Sequence, residues 1–544
     1  MTIRRGVWLA AFCLGVVGYG VGAHGAGPHG TSHPDALTAD DVRWLDRLTF
    51  GVDTAVVDRY RQLGRAKFLD DQLHPSNDDP ESLTTEIEAL PISKESLEEV
   101  LRNLRSSQQR ANSQQNPDDQ KRARMEVNES GRIALYQTQK RHLLRAIYAP
   151  SQLREQMTWF WMNHFNVFGG KAQVRWMVAD YENKAVRPHA LGHFRDLVLA
   201  TVKSPAMLSY LDNAQSMVGR INENYARELM ELHTLGVSGG PSGSHYTQRD
   251  VQELARILTG VGINPGGDRP QGRRGQFGGG NAPFGRGGRG DSRFVRDGVF
   301  EFNPNRHDFG SKTLLGQTFD GDGMQEVERA VTLLCKQPAT AKFVSTKLAT
   351  YFVSDDPPRR LVDAMASTFE KSDGDIAAVL RTMFLSPDFT ALMKKPDATA
   401  GKLKDPVQFV VSSLRLAYDG KMISNYRPVV NWLQQLGEPL YGHVTPDGYP
   451  LTEASWSSSG QMVKRFEIAR MIGSGNAALF GTDDEALPRR FAQARAGFPM
   501  LTNRLYYDLI EPTLSARTHT ALDGAMSQPE WNTVLLASPE WMQR

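Results

Sequence analysis

Cysteine is almost missing from this chain: 544 residues contain two, Cys13 and Cys335. Cys13 sits in an N-terminal segment read below as removable, so the remaining domain has one thiol and no intramolecular disulfide, and packing must supply its stability. Charge of one sign is missing too. Lys and Arg total 63 against 61 Asp and Glu, a formal charge of +2, which excludes a global attraction to nucleic acid or to an anionic membrane. After the N-terminus no apolar run is long enough to cross a bilayer. Several catalytic signatures are also lacking: HExxH, a GxSxG elbow, a Walker loop, and a dinucleotide fingerprint set between a strand and a helix. What is present is ordinary globular material, 40% hydrophobic, ample for one large helical domain or a few smaller ones.

The N-terminus carries an address. Arg4 and Arg5 precede "GVWLAAFCLGVVGYGVGA", and Val21-Gly22-Ala23 resembles a signal-peptidase site, so residues 1–23 read as a signal peptide and 24–40 as a flexible segment. The alternative, an uncleaved anchor, suffers from the shortness of the run. Gly6 and Val7 suit a twin-arginine signal poorly, and Phe12 before Cys13 is too large for a lipoprotein site. The expected location is periplasmic or extracellular.

Two stretches break the globular pattern. Residues 106–122, "SSQQRANSQQNPDDQKR", are nearly free of apolar side chains, which predicts a mobile connection between helices. Residues 264–293, "NPGGDRPQGRRGQFGGGNAPFGRGGRGDSR", are rich in glycine and arginine and predict a disordered loop. RNA-binding tracts look like this, but one tract in an exported chain, without a flanking RNA-binding fold, reads as a loop insertion, and no nucleic-acid partner is expected.

The rest is helical by period, as in "QEVERAVTLL" and "ATAKFVSTKLATYFV". The fold class is mainly α, a large multi-helix orthogonal bundle with at most a small β-hairpin near 299–319, where "GVFEFNP" and "KTLLGQTF" alternate. "FLSPDF" and "LASPEW" are helix starts, with Ser as N-cap and Pro at the first helical position.

Three helices place polar residues on apolar faces. In "REQMTWFWMNHFNVF", Leu153, Met157, Phe160, Trp161 and His164 share one stripe. In "NENYARELMELHTLG", from an Asn222 cap to Gly236, His233 lies in the apolar face, Glu228 lies at its border, and Arg227 faces Glu231. In "YTQRDVQELARILTG", Asp250 points between Leu254 and Ile257 unless it folds back on Thr247 as a cap; Glu253 lies nearer solvent. A lone inward His is usually a core residue bonded to a carbonyl. Three inward polar groups are expected to meet, since leaving one unpaired costs roughly 1 to 3 kcal/mol. Two imidazoles with carboxylates form an inventory for acid and base catalysis, so Asp250, His233, Glu228 and His164 are the catalytic candidates. A metal is a lesser reading because no ligand spacing of standard type is present, and the cofactor is left unassigned. His307-Asp308 has the look of a phosphohydrolase doublet, but its strand-like flanks favour a turn with Lys312 as charge partner; His307, Asp308 and Glu253 are secondary candidates.

Taken together, "RLTFG" (47–51), "WMNHF" (161–165), "NYARELMELHTLGV" (224–237), "YTQRDVQELARILTG" (246–260), "RHDFGSKTLLG" (306–316), "LGEPLYGHVTPDGYP" (436–450) and the final "LLASPEW" resemble a bacterial family known as domain of unknown function 1800. The likeness runs from about Asp41 onward and implies a single helical domain over 41–544, interrupted by the two polar stretches. It also implies an exported protein, often encoded beside a sulfatase-like exported family that becomes a candidate partner. It assigns no activity.

Two functions follow. One is a hydrolase of an envelope or extracellular polymer, with carboxylate and His groups sharing proton transfers and aromatics stacking on sugar rings. The alternative is a non-catalytic binding or assembly protein whose buried polar cluster fixes helix packing. A solvent-open pocket beside these residues favours the first; full burial with every polar atom paired favours the second.

Overall fold

Thr38 starts the first helix, Ala39–Leu48, by accepting from the Asp41 amide while the Asp41 carboxylate accepts from the Thr38 amide, so two orphan donors are satisfied at once. The same box recurs at Ser96 and Thr247. The Ser-Pro starts behave alike: Ser386 accepts from the Phe389 amide and Ser538 from the Trp541 amide. These elements belong to a computed structural model that describes residues 37–76, 79–237, 246–264, 293–394, 401–483 and 498–544. The signal-peptide reading and nearly all of the glycine-arginine tract lie outside the described residues.

The described residues are mainly helical. At the centre, the Gln152–His164 helix has every residue buried, and the Pro406–Tyr418 helix is buried through Leu416. A helix enclosed on all sides has no solvent face, so its polar side chains must bond inside the protein. Arg47 does so in "RLTFG", donating to the carbonyls of Phe352 and Val353. Gly51 of the same motif has φ +100° and passes Ser412 so closely that a Cβ would lie 2.5 Å from the Ser412 Cβ, which requires glycine there.

The 106–122 reading is corrected. Leu97–Ser113 and Pro117–Tyr148 are helices separated by three residues, 114–116. Asn116 caps the second helix, Pro117 is its first residue, and Asp118 and Asp119 occupy its first turn, all favourable at a positive helix end. Straight-chain polar residues form exposed helix readily, and the Leu97, Val100, Leu101 and Leu104 face of the first helix is buried. Polarity reported exposure rather than irregular structure.

Strands are few and short. β1 (Val261–Ile263), β2 (Val295–Asp297) and β3 (Phe300–Phe302) form an antiparallel sheet in the order β1-β3-β2, while β4 (Lys312–Leu314) pairs with β5 (Gln317–Phe319). The two runs expected to pair with each other therefore belong to different sheets. Leu315 and Gly316, both at positive φ, close β4 onto β5 with a two-residue turn, leaving β3 to pair with β1 and β2. No single helix among the described residues is long and apolar enough to cross a membrane.

Candidate functional site

The Asn-His pair in the central helix has two separate tasks. The Asn163 amide clamps Tyr449, accepting from its backbone N–H at 2.5 Å and donating to its carbonyl at 2.9 Å. Asn166 donates to the carbonyls of His443 and Thr445 at 3.0 and 2.8 Å, and the Tyr210 hydroxyl donates to the Val444 carbonyl at 2.7 Å. The loop over residues 441–449 is thus held by Asn163 and Asn166, in and just after "WMNHF", and by Tyr210. Its start is fixed by Tyr441, whose hydroxyl donates to Glu182 and whose carbonyl accepts from the Gly169 amide. Glu182 is fully buried beside His142 at 3.0 Å. Burial alone would raise its pKa, but His142, Arg141 and Arg145 outweigh that and bring it down to about 2.

Beneath this loop His164 and His233 meet, with ring centroids 6.1 Å apart. His164 Nε2 donates to the His233 carbonyl at 3.0 Å, so its Nδ1 carries the lone pair. Among the described residues that Nδ1 and both ring nitrogens of His233 lack hydrogen-bond partners, although both residues are fully buried. Phe160, Phe165 and Phe343 surround the pair. Desolvation, then the charge of Lys347, pushes His233 down to about 3 and His164 well below its ordinary value, so both imidazoles are neutral. Lys347 itself is half-buried; burial brings it down to about 8, against the upward pull of Asp447.

Glu228 is half-buried, as its border position on the wheel suggested. It lines an open depression of about 380 Å³ with Phe168, Lys171, Tyr210, Val444 and Pro446. Burial, followed by the Glu231 and Asp447 charges, raises its pKa. Asp447, next to Pro446, goes the other way: burial raises it, but bonds from Thr445 at 2.6 Å and His443 at 3.2 Å prevail and lower it. Glu228 lines the depression and Asp447 follows Pro446 of its wall, and their environments shift their pKa values in opposite directions.

The other candidates are elsewhere, and the expectation of one shared cluster is corrected. Asp250 is a cap: Oδ2 accepts from the Thr247 amide and hydroxyl, Oδ1 from the Leu315 amide, and these bonds outweigh burial to lower its pKa. It shares no bonding partner with His164 or His233. Glu253 pairs with Arg256 and accepts from the Thr313 amide; Asp308 also pairs with Arg256, at 2.8 Å. His307 and Lys312 both reach Glu326 Oε1, at 2.8 and 2.5 Å, in a fully buried trio, so Lys312 serves Glu326 rather than Asp308. Asp250, Glu253 and Asp308 fasten the Gln248–Ile257 helix to the β4-β5 hairpin and its flank.

The helix bearing Glu228 is also shorter than its pattern implied. It spans Asn224–Glu231, and Asn222 accepts from the Asn224 amide as an outer cap. Beyond Glu231 the His233 and Leu235 amides reach back five residues, to Glu228 and Met230, while the Thr234 hydroxyl takes the Leu229 carbonyl. This wide turn, not a helix face, presents His233. Arg227 pairs with Glu223 instead of Glu231.

Sequence reasoning missed Lys347, His443 and Asp447. Lys347 is a lone cation in the apolar run "ATAKFVSTKLATYFV", and the other two lie in "GHVTPDG", a loop with no period to read. Among the described residues no group of three or more His, Cys, Asp or Glu is placed to hold a metal ion.

The motifs gathered around this loop and its supporting helices define a family. The chain belongs to the family described as protein of unknown function, DUF1800, whose model matches residues 43–543. No curated protein and no solved structure matches the chain.

Proposed function

We propose that this chain is an exported hydrolase of an envelope or extracellular sugar polymer, acting at the depression where Glu228 faces the loop carrying His443 and Asp447. The observation that carries the reading is an open depression with aromatic walls, Phe168 and Tyr210, lined by Glu228 and by Pro446, the residue before Asp447, whose pKa is shifted opposite to that of Glu228. Glu228, whose pKa burial raises, is the proton donor to the leaving glycosidic oxygen. Asp447, held ionised by Thr445 and His443, takes a proton from water, whose oxygen bonds to the anomeric carbon as the glycosidic bond breaks. Phe168 and Tyr210 offer ring faces to sugars.

Release of reducing ends from a panel of bacterial envelope and extracellular polysaccharides tests this. Glu228→Gln and Asp447→Asn are each expected to lower turnover by roughly 100-fold or more with unfolding midpoints nearly unchanged. Wild-type protein that binds such polymers without cleaving any would establish the binding or assembly alternative instead. Export is supported by the order of basic start, apolar run and small-residue site, and N-terminal sequencing of protein recovered outside the cytoplasm, beginning near His24, is the expected result.

A further inference from the structure

A second depression, also of about 380 Å³, adjoins the one that Glu228 lines. Its walls are Asp212, Gln215, Arg220, Ile221, Asn222 and Glu223. Leu211 and Asn224 line the Glu228 depression, so the chain passes from one wall to the other at two places, between 211 and 212 and between 223 and 224. One run of bonds crosses this divide. Lys171, in the Glu228 depression, pairs with Asp212 at 2.7 Å. The Asn222 side-chain amide donates to the Asp212 carbonyl at 3.3 Å, and its oxygen accepts from the Asn224 amide at 2.9 Å. The two depressions share this rim and are neighbours on one surface.

The second depression offers groups that the fold itself leaves unused. Among the described residues neither the Arg220 guanidinium nor the Gln215 side-chain amide has a hydrogen-bond or charge partner, and Ile221 is 41% exposed. They sit on a braced turn. Met217 and Arg220 exchange backbone hydrogen bonds at 3.2 and 2.9 Å, the Arg306 guanidinium donates to the Ala214 and Ser216 carbonyls, and the Arg306 carbonyl accepts from the Val218 amide. A segment already held in place loses little freedom on binding. A guanidinium and a carboxamide are planar groups with several donors each, suited to neighbouring hydroxyls, and the Ile221 side chain supplies an apolar contact for the C–H face of a sugar ring.

We propose that the Arg220 depression is a second saccharide subsite, so that the substrate is a sugar chain held over both depressions and not a single glycoside. The word saccharide rests on the hydrolase reading, but the subsite is tested by how binding grows with chain length. Asp212 is engaged by Lys171, and Glu223 accepts from the Gln248 side chain at 2.7 Å, which leaves Arg220 and Gln215 as the groups that meet the sugar.

An array carrying peptidoglycan glycan strands, chitin, cellulose and dextran as fragments from single sugars to hexasaccharides tests this with the full mature protein. Wild type is expected to bind at least one series, with affinity rising about tenfold or more once the chain is long enough to reach Arg220. Arg220→Ala is expected to remove about tenfold of that rise, the scale of one hydrogen bond to a charged group, while melting like wild type because the side chain is exposed. Gln215→Ala should remove about fivefold, and Arg122→Ala, at an exposed arginine elsewhere, should leave the rise as in wild type. Affinity independent of chain length, or a rise that Arg220→Ala does not reduce, overturns the subsite and leaves the hydrolase reading standing. An Arg220-dependent rise without cleavage of any chain sinks the hydrolase reading alone, and binding of no fragment overturns both.

Discussion

Gly448 gives a sharp test of how the loop is seated. It has φ +75°, and a Cβ there would lie 2.6 Å from Asn163 Oδ1 and closer still to the Asn163 carbonyl oxygen. Gly420 is a matched control: its φ is +79°, and nothing lies within 4 Å of its Cβ position. Alanine at either site meets the left-handed backbone penalty, about 1 kcal/mol. Only Gly448→Ala also forces a backbone carbonyl of an enclosed helix to move, adding about 1 to 3 kcal/mol. The two losses are therefore expected to be about 2 to 4 and about 1 kcal/mol, read from urea unfolding midpoints at a common slope. Gly448→Ala should in addition weaken polymer binding, because the Tyr449 clamp and the Asp447 carboxylate move with the loop. Equal losses at the two sites would refute the reasoning, since the close approach to Asn163 would then cost nothing.

Other outcomes follow from the buried groups. His164→Ala and His233→Ala should be non-additive in unfolding free energy, because the two share a contact, whereas Asp250→Ala should add to either within about 0.5 kcal/mol. Lys312→Met should cost about 3 to 5 kcal/mol by stranding Glu326, and adding Glu326→Leu should restore part of it in the same measurement. Acidification should destabilise the protein in two windows. Unfolded His233 binds a proton below its ordinary pKa of 6.5 while the folded residue stays neutral down to about 3, so stability is complete above 6.5 and falls through that interval. Glu182, at about 2 folded against 4.5, adds a second loss between those values. Midpoints measured from pH 8 to 3 check both, and His233→Phe should flatten the upper window.

The chain's local order was legible because it depends on near neighbours. Helix period, the Thr247-Asp250 box and the Ser-Pro starts at Ser386 and Ser538 are set by residues within four positions of one another. Glu228 at the border of its wheel also proved to be where buried and exposed surfaces meet. His164 was placed inward correctly, but its wheel carried less information than it seemed to: the Gln152–His164 helix has no outside, and Arg154, Glu155 and Gln156 are as enclosed as His164. Periodicity separates buried from exposed only where a helix has two faces.

What tertiary structure alone decided is which polar groups meet. Asp250 had two equal local options, cap or inward carboxylate, and the Leu315 amide on β4-β5, 65 residues away, completes the cap. Lys312 had a near acid in Asp308, yet Glu326 takes it because that carboxylate is buried beside it and Arg256 already holds Asp308. His233 reaches His164 from a wide turn that no 3.6-residue period describes, and Val444 and Pro446 reach the Glu228 depression from a loop with no period at all. The sequence by itself determined where helices begin, where they end and which faces are apolar, since those are short-range energies; the site was decided by contacts across 69 residues between His164 and His233 and across 286 between Asn163 and Tyr449, which exist only once the helices have packed.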